Sequence, residues 1–401
     1  MAVYHQMGYQ SSNLVDLPEM SGYTGAIYSP INSTQGEMVR DMKQSRESRG
    51  VDFENVFDPQ LYVPATARDQ LRKWSYFPKD VDTADPTSVP WWNNLTRKLS
   101  EVCLSLKANA VCSPVVIPKI FEDAYYERTV RVASDLVRQL KGRDVRVLQT
   151  VLVSLSELSS ETRALQVASI VSATAADRIY LVFVGTEQPR RELRAGEELL
   201  GAMQLVNALE RNGMPVVVGF CSSDVIMWKA AGATACASGK FFNLRRFTRQ
   251  RFEEPMATGG GQLPYWFEEN LLAFLRQGDL VRVRKQSLLS EASKGNPFCT
   301  QILKLMDEAA QVRTKPVWLG ISWRQFLFWF ADVEARLNSG KVRTRDLLET
   351  ADKNWSKLDD AGVLPEERQN DGNWIRVWLN TLNDFGKNRS RRSTTSAAET
   401  E

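Results

Sequence analysis

A single histidine, His5, stands in 401 residues. Read as part of a polar N-terminal stretch, it argues against a Ser-His-Asp or Cys-His pair, a multi-histidine metal site and an imidazole proton relay. Cysteine is nearly as scarce: Cys103, Cys112, Cys221, Cys236 and Cys299 are odd in number and form no C-x-x-C. They read as reduced thiols, and both a disulfide framework and structural zinc are argued against. Charge of one sign is missing too, since 51 basic and 48 acidic side chains leave a formal +3. Bulk charge therefore names no polyanionic partner, and only local clusters can do so. No apolar run approaches the about 18 residues that would suggest a membrane span. The N-terminus lacks a basic segment followed by an apolar one, so no secretion signal is read and a cytoplasmic setting without membrane is expected. Chemistry is left to carboxylates, lysine, arginine, cysteine, hydroxyls and backbone amides.

What is present is an ordinary globular composition, 43% hydrophobic and 25% charged, in a chain long enough for two domains. From Gly25, strand-like apolar runs alternate with helix-period segments, the one-dimensional signature of a parallel α/β fold. Strands are expected over 25–31, 56–63, 110–120, 145–153, 178–184, 215–220 and 232–238. Helices are expected over 35–46, 92–106, 125–140, 160–173, 196–211 and 223–231. The continuous Val, Ile and Leu runs suit strands buried on both faces. A TIM-type (β/α) barrel, incomplete or distorted, fits best, with the eighth strand near 280–283 or in the N-terminal segment. A doubly wound open sheet is the alternative, weakened because no G-x-G-x-x-G follows the first strand.

The expected organisation is an N-terminal extension over 1–24, the barrel over 25–258 with an insertion at 64–90, a tryptophan-rich helical module over 262–385 and a disordered tail over 386–401. The module carries Trp266, Trp318, Trp323, Trp329, Trp355, Trp374 and Trp378, seven of the eleven tryptophans. Aromatic residues at helical spacing usually pack inside; the alternative is a surface for a protein partner.

A barrel keeps its active site at the C-terminal ends of its strands. Asp58 and Gln60, spaced i, i+2 on a strand, would share a face; a catalytic acid is one reading, a turn cap before Pro59 or an ion pair with Lys119 the other. Lys119 closes an apolar strand as a desolvated nucleophile or as a snorkelling surface lysine. With Glu187 these form the catalytic candidates. Gln149 and Ser222 lie near other strand ends. The strongest signal is the segment from Ser238, Gly239 and Lys240 through Asn243, Arg245 and Arg246 to Arg249, Arg251 and Phe252. A small-residue turn after a late strand can hold an anion, and arginines interleaved with phenylalanines suit a nucleic-acid backbone and its bases. The bland alternative is a basic loop whose phenylalanines seal the barrel to the helical module. Mg²⁺ needs only one or two carboxylates and leaves little sequence trace.

This run of units, with an Asp on an early strand and a basic late loop, resembles the barrel of tRNA-guanine transglycosylases over about residues 25–250. The resemblance implies an Asp nucleophile, an Asp or Glu base and nucleobase exchange, with Asp58 and Glu187 as nearest occupants. The zinc motif of many such enzymes is absent, since no histidine follows any cysteine. Two functions follow: a barrel enzyme acting on an anionic small molecule, nucleotide or nucleic acid by carboxylate or lysine chemistry, or a non-catalytic barrel serving as a binding module in an assembly.

Overall fold

The structure, a computed structural model, describes residues 2–80, 87–252, 262–368 and 370–398, with the backbone alone over 390–398. Eight parallel strands close a barrel in sequence order: β1 (Ala2–Gln6), β2 (Gly25–Tyr28), β3 (Glu54–Phe57), β4 (Ala110–Cys112), β5 (Arg146–Ser154), β6 (Arg178–Val184), β7 (Val216–Val218) and β8 (Ala235–Gly239). Closure is made by β1 against β8, with Ala2 opposite Ala235 and Gln6 opposite Gly239. The seven expected strands are all present. The eighth lies in the N-terminal segment, so residues 1–24 hold a barrel strand where an extension was expected, and 280–283 is helical.

Helices α1 (Gln35–Arg49), α2 (Asp69–Arg72), α3 (Val89–Leu106), α4 (Asp123–Gln139), α5 (Glu161–Val171), α6 (Gly196–Arg211) and α7 (Val225–Ala231) follow the strands. Local chemistry sets their ends: Thr34 and Glu37 form a reciprocal capping box on α1, satisfying amides that a helix start leaves unpaired. Beyond the barrel come a hairpin, β9 (Trp266–Glu268) and β10 (Ala273–Leu275), then α8 (Gln277–Lys285), α9 (Glu291–Gly295), α10 (Pro297–Gln311), α11 (Leu319–Asn338), α12 (Thr344–Asp360) and α13 (Asn373–Ala398). The tail expected without structure is helical to Ala398; residues 259–261, between the expected barrel and module, and 399–401 lie outside the described residues.

Contacts between non-neighbouring strands show the barrel interior to be filled. At its lower end Arg178 of β6 donates to Glu54 of β3 at 2.6 Å, and Tyr4 of β1 donates to the same carboxylate. One layer higher, the Tyr180 hydroxyl donates to Gln6 Oε1 at 3.0 Å. Glycine makes this packing feasible at Gly219, where a Cβ would lie 2.6 Å from the Tyr180 ring.

The helical module is built onto the barrel. Helix α11 packs against α7 and β8, the position that the helix after the last strand takes in a complete barrel. Its Glu334 meets Lys229 of α7 at 3.4 Å with both side chains buried, and the Tyr23 hydroxyl donates to Leu327 O at 2.9 Å. Burial raises the Glu334 carboxyl to about 8. Six of the seven module tryptophans are buried, while Trp323 is half-buried. His5 belongs to β1, not to a polar loop: it is fully buried, edge-on to Tyr23, with neither ring nitrogen hydrogen-bonded among the described residues. Burial and the nearby Lys240 and Arg245 push its imidazole down to about 3, so it stays neutral.

Candidate functional site

The C-terminal mouth of the barrel is closed by a plug that grows out of β3. The strand stops at Phe57, and Asp58 turns the chain: its Oδ1 accepts from the Gln60 amide at 3.1 Å, an Asx-type turn that replaces the expected shared strand face. Gln60 sits at φ +49°, a left-handed conformation uncommon for a side-chain-bearing residue. Asp58 Oδ2 accepts from the Tyr62 hydroxyl at 2.9 Å and from Gln60 Nε2 at 3.3 Å. Rings cover this carboxylate: Tyr62 lies edge-on to Phe247 and Phe252, and Phe220, itself at φ +59°, lies edge-on to Phe247. Full burial lifts the Asp58 carboxyl to about 6, against the pull of Tyr62, Gln60 and Arg251. The insertion adds a second cover, with Trp74 stacked on Phe57 and the Tyr76 hydroxyl donating to Pro59 O at 2.6 Å; its residues 81–86 lie outside the described set.

The catalytic candidates are not brought together. Asp58 lies inside the plug, Lys119 is exposed at the rim of an apolar pocket beside β4, and Glu187 lines a small void with Phe183 and Trp228. Gln149 faces out of the barrel, donating to Thr129 of α4 at 3.3 Å. Ser222 is buried, its amide bonded to Asp224 at 2.7 Å, and the Ser238 hydroxyl donates to Cys221 O at 2.6 Å. Gln60 is held in the plug.

The expected anion clamp is corrected in the same way. Arg245 turns inward, donating to the carbonyls of Gly239 at 2.9 Å and Lys240 at 3.0 Å while its guanidinium lies 3.8 Å over the Phe326 ring. The turn after β8 thus offers carbonyls to an internal arginine where amides for an anion were expected. Arg246 is neutralised by Glu192 at 3.3 Å and Asp224 at 3.7 Å, all three buried; burial still lifts the Glu192 carboxyl to about 7. Phe241 and Phe242 pack against Trp323 and Tyr265, so part of this basic segment does seal the barrel to the module.

An open cleft of about 1010 Å³ lies beside the plug. The loops after β1, β2 and β8 supply Tyr9, Asn32, Lys240, Asn243 and Arg251; the insertion supplies Arg68, the loop after β6 Arg190, and the module Tyr265, Ser322 and Trp323. Five of the described lining residues are lysine or arginine and none is acidic. Arg190 is balanced from behind by Glu367 at 3.1 Å. Lys240 has no carboxylate partner among the described residues and rests 4.1 Å over the Trp323 ring; burial, then Arg324, lower its pKa. Arg251, which the sequence reading placed in the arginine-phenylalanine run without singling it out as a clamp residue, lines the cleft. It is buried, its Nε has no partner among the described residues, and its side chain donates to Ser29 Oγ at 3.3 Å. Burial pushes its guanidinium down to about 10, the mark of a cation lacking a close counter-charge. Its place in the arginine-phenylalanine run was the available signal; nothing in the run told it apart from Arg245.

No family model matches the chain, and none of the curated proteins matches it. Solved structures similar to it include a mandelate racemase/muconate lactonizing enzyme from a marine actinobacterium, 12% identical over 59% of this chain and 54% of that one, TM-score 0.31. A type I 3-dehydroquinate dehydratase from Clostridium difficile is 10% identical over 63% and 88%, TM-score 0.35. The tryptophan synthase complex of Pyrococcus furiosus is 13% identical over 60% and 86%, TM-score 0.33. The chain spans about half the length of the racemase-type structures. Likeness this weak carries no argument, and the fold rests on the strand pairing itself. None of these three is a tRNA-guanine transglycosylase. Among the described residues no group of three His, Cys, Asp or Glu side chains is placed to hold a metal, and no helix is long and apolar enough to cross a membrane.

Proposed function

We propose that the protein binds a phosphate-bearing ligand with planar rings, a nucleotide or a nucleic-acid strand, in this cleft, the barrel acting as its rigid support. The observation that carries the reading is a large cleft with five cationic side chains and no described carboxylate on its walls. Arg190 is already balanced by Glu367 and Arg245 is bonded inward to carbonyls, so the anion is drawn by cations that lose hydration with no carboxylate close by. Among the described residues, Arg251 and Lys240 have no carboxylate at ion-pair distance. Tyr9, 57% exposed at the rim, offers a ring on which a base can stack, an interaction worth about 1–3 kcal/mol per base. With the tryptophans mostly in the core, an aromatic partner surface on the helical module is not part of this reading.

The sealed mouth favours the binding-module form of the function. Catalysis by nucleobase or glycosyl exchange is the second reading, favoured by one chain of contacts: Arg251 at the cleft floor donates to Ser29, Ser29 to Gln60, and Gln60 to Asp58. Fluorescence anisotropy with labelled oligothymidylate and competition by ATP test the binding. Affinity should fall with salt, and K240A and R251M should each weaken it about tenfold or more, since a charged hydrogen bond is worth about 1.5–3 kcal/mol. Binding that ignores salt and both substitutions would overturn the reading. Loss of a nucleobase-exchange signal in D58N with unchanged affinity would favour the second.

A further inference from the structure

We propose a second ligand site, in the pocket beside β4, that takes an amphipathic carboxylate: an alkyl or aryl acid with its body buried and its head group on Arg128. The pocket, of about 410 Å³, shares no lining residue with the basic cleft and has different chemistry. Trp92 of α3, Val115, Val116 and Ile117 after β4, and Val132 of α4 form its apolar walls. The lining loop is held in place: the Ser113 amide donates to Leu148 O at 2.8 Å, the Ile117 amide to Tyr62 O at 3.0 Å, and Pro114 and Pro118 each fix a backbone torsion. A preformed apolar cavity of this size suits a small molecule better than a protein segment.

The polar groups name the head. Arg128 is half-buried on α4, its Nε is buried without a hydrogen-bond partner, and it forms no ion pair among the described residues. The Tyr125 hydroxyl, on the same wall, is buried beside the Leu152 backbone, and its proton has no acceptor among them. Buried polar groups are normally satisfied, and here a carboxylate would accept from a guanidinium and a phenol together. Lys119 stands exposed at the rim, with Glu122 as the one acid in the lining. Two cations against one carboxylate favour an anionic head over a cationic one. Thr129 offers no competing hydroxyl proton, since it donates to Tyr126 O at 2.8 Å. Ile120, 71% exposed, extends the apolar surface at the entrance. This assigns Lys119 a rim position beside a carboxylate in place of a catalytic role, and it does not depend on the reading of the cleft.

Titration calorimetry on the full chain with decanoate and with decanol tests it. Decanoate should bind saturably at one site, at least tenfold tighter than decanol. R128L should erase that preference, leaving the two ligands within about twofold, and V116W, which fills the pocket from the loop, should abolish binding of both. The far-ultraviolet circular dichroism and thermal midpoint of each variant should match those of the parent chain, which shows that each is folded. Should one variant fail to fold, the other and K119A still decide: K119A should weaken decanoate and leave decanol alone. Absence of saturable decanoate binding, or decanoate binding equally well to R128L and V116W, would overturn the proposal.

Discussion

The plug and the cleft are made in part by one stretch of chain, residues 240–252, yet they treat charge in opposite ways. In and around the plug, Arg246 is paired with Glu192 and Asp224, and Phe247 and Phe252 close over Asp58. In the cleft, Lys240 and Arg251 of the same stretch have no carboxylate at ion-pair distance among the described residues. A cation with its counter-charge built in serves stability; one without it is stabilised by what binds. The same residue type therefore has two roles a few positions apart, set by which side of the loop faces the barrel axis.

Substitutions in the two regions should accordingly separate stability from affinity. The largest effect is expected from R246A, which leaves two buried carboxylates without their cation and should cost about 3–5 kcal/mol, read as a fall in denaturation midpoint with cleft binding intact in the folded fraction. F247A, cutting the centre from the ring cluster, should cost a similar ~3–5 kcal/mol. A midpoint unchanged in both would dissolve the distinction between plug and cleft.

The pH dependence comes next. Burial raises Asp58 from 3.8 to about 6, so between those values the folded chain holds more proton than the unfolded one, and stability should decline as pH rises through that window. D58N should remove that part of the decline, on the order of 3 kcal/mol at about 1.4 kcal/mol per pKa unit. Any decline above pH 6 should survive in D58N, because Glu192 and Glu334 titrate higher, at about 7 and about 8. Denaturation midpoints from pH 4 to 9 check both statements.

In the cleft, R251M should leave stability within about 1 kcal/mol or raise it, because an unpaired buried charge is lost. It should still reduce affinity about tenfold and lower the salt slope by about one. The smallest effect is expected from Y9A, an exposed ring whose loss should weaken oligonucleotide binding by about 1 kcal/mol and leave inorganic phosphate binding unchanged.

Most of the fold was legible. Seven strands announced themselves as β-branched apolar runs because a parallel sheet covered on both faces needs little else. The strand β1 was legible only as one of two places for the eighth strand, because Ala2–Gln6 carries His5 and Gln6: Gln6 is paired inside the barrel with Tyr180, and His5 is buried against Tyr23. A sequence cannot price a polar residue whose partner lies 174 positions away. The last barrel helix was hidden differently, since α11 begins eighty residues after β8 ends, with a hairpin and three helices between. The site was legible in composition and illegible in detail. Asp58 could be read as a turn cap and is one; Lys119, Glu187 and Asp58 could be named, and nothing in their spacing showed that they face different voids.

The sequence by itself determined the β/α alternation, with a barrel as its best fit, and ruled histidine triads out of the plausible chemistry, because both depend on residue type and on a local period. It also determined that a basic, phenylalanine-rich segment follows the last strand. Only the tertiary structure decided which arginines of that segment are neutralised and which line the open cleft. Pairing is a matter of distances across the fold: Glu192 and Asp224 reach Arg246 from other loops, the Gly239 and Lys240 carbonyls hold Arg245, and Arg251 meets no carboxylate at such range among the described residues.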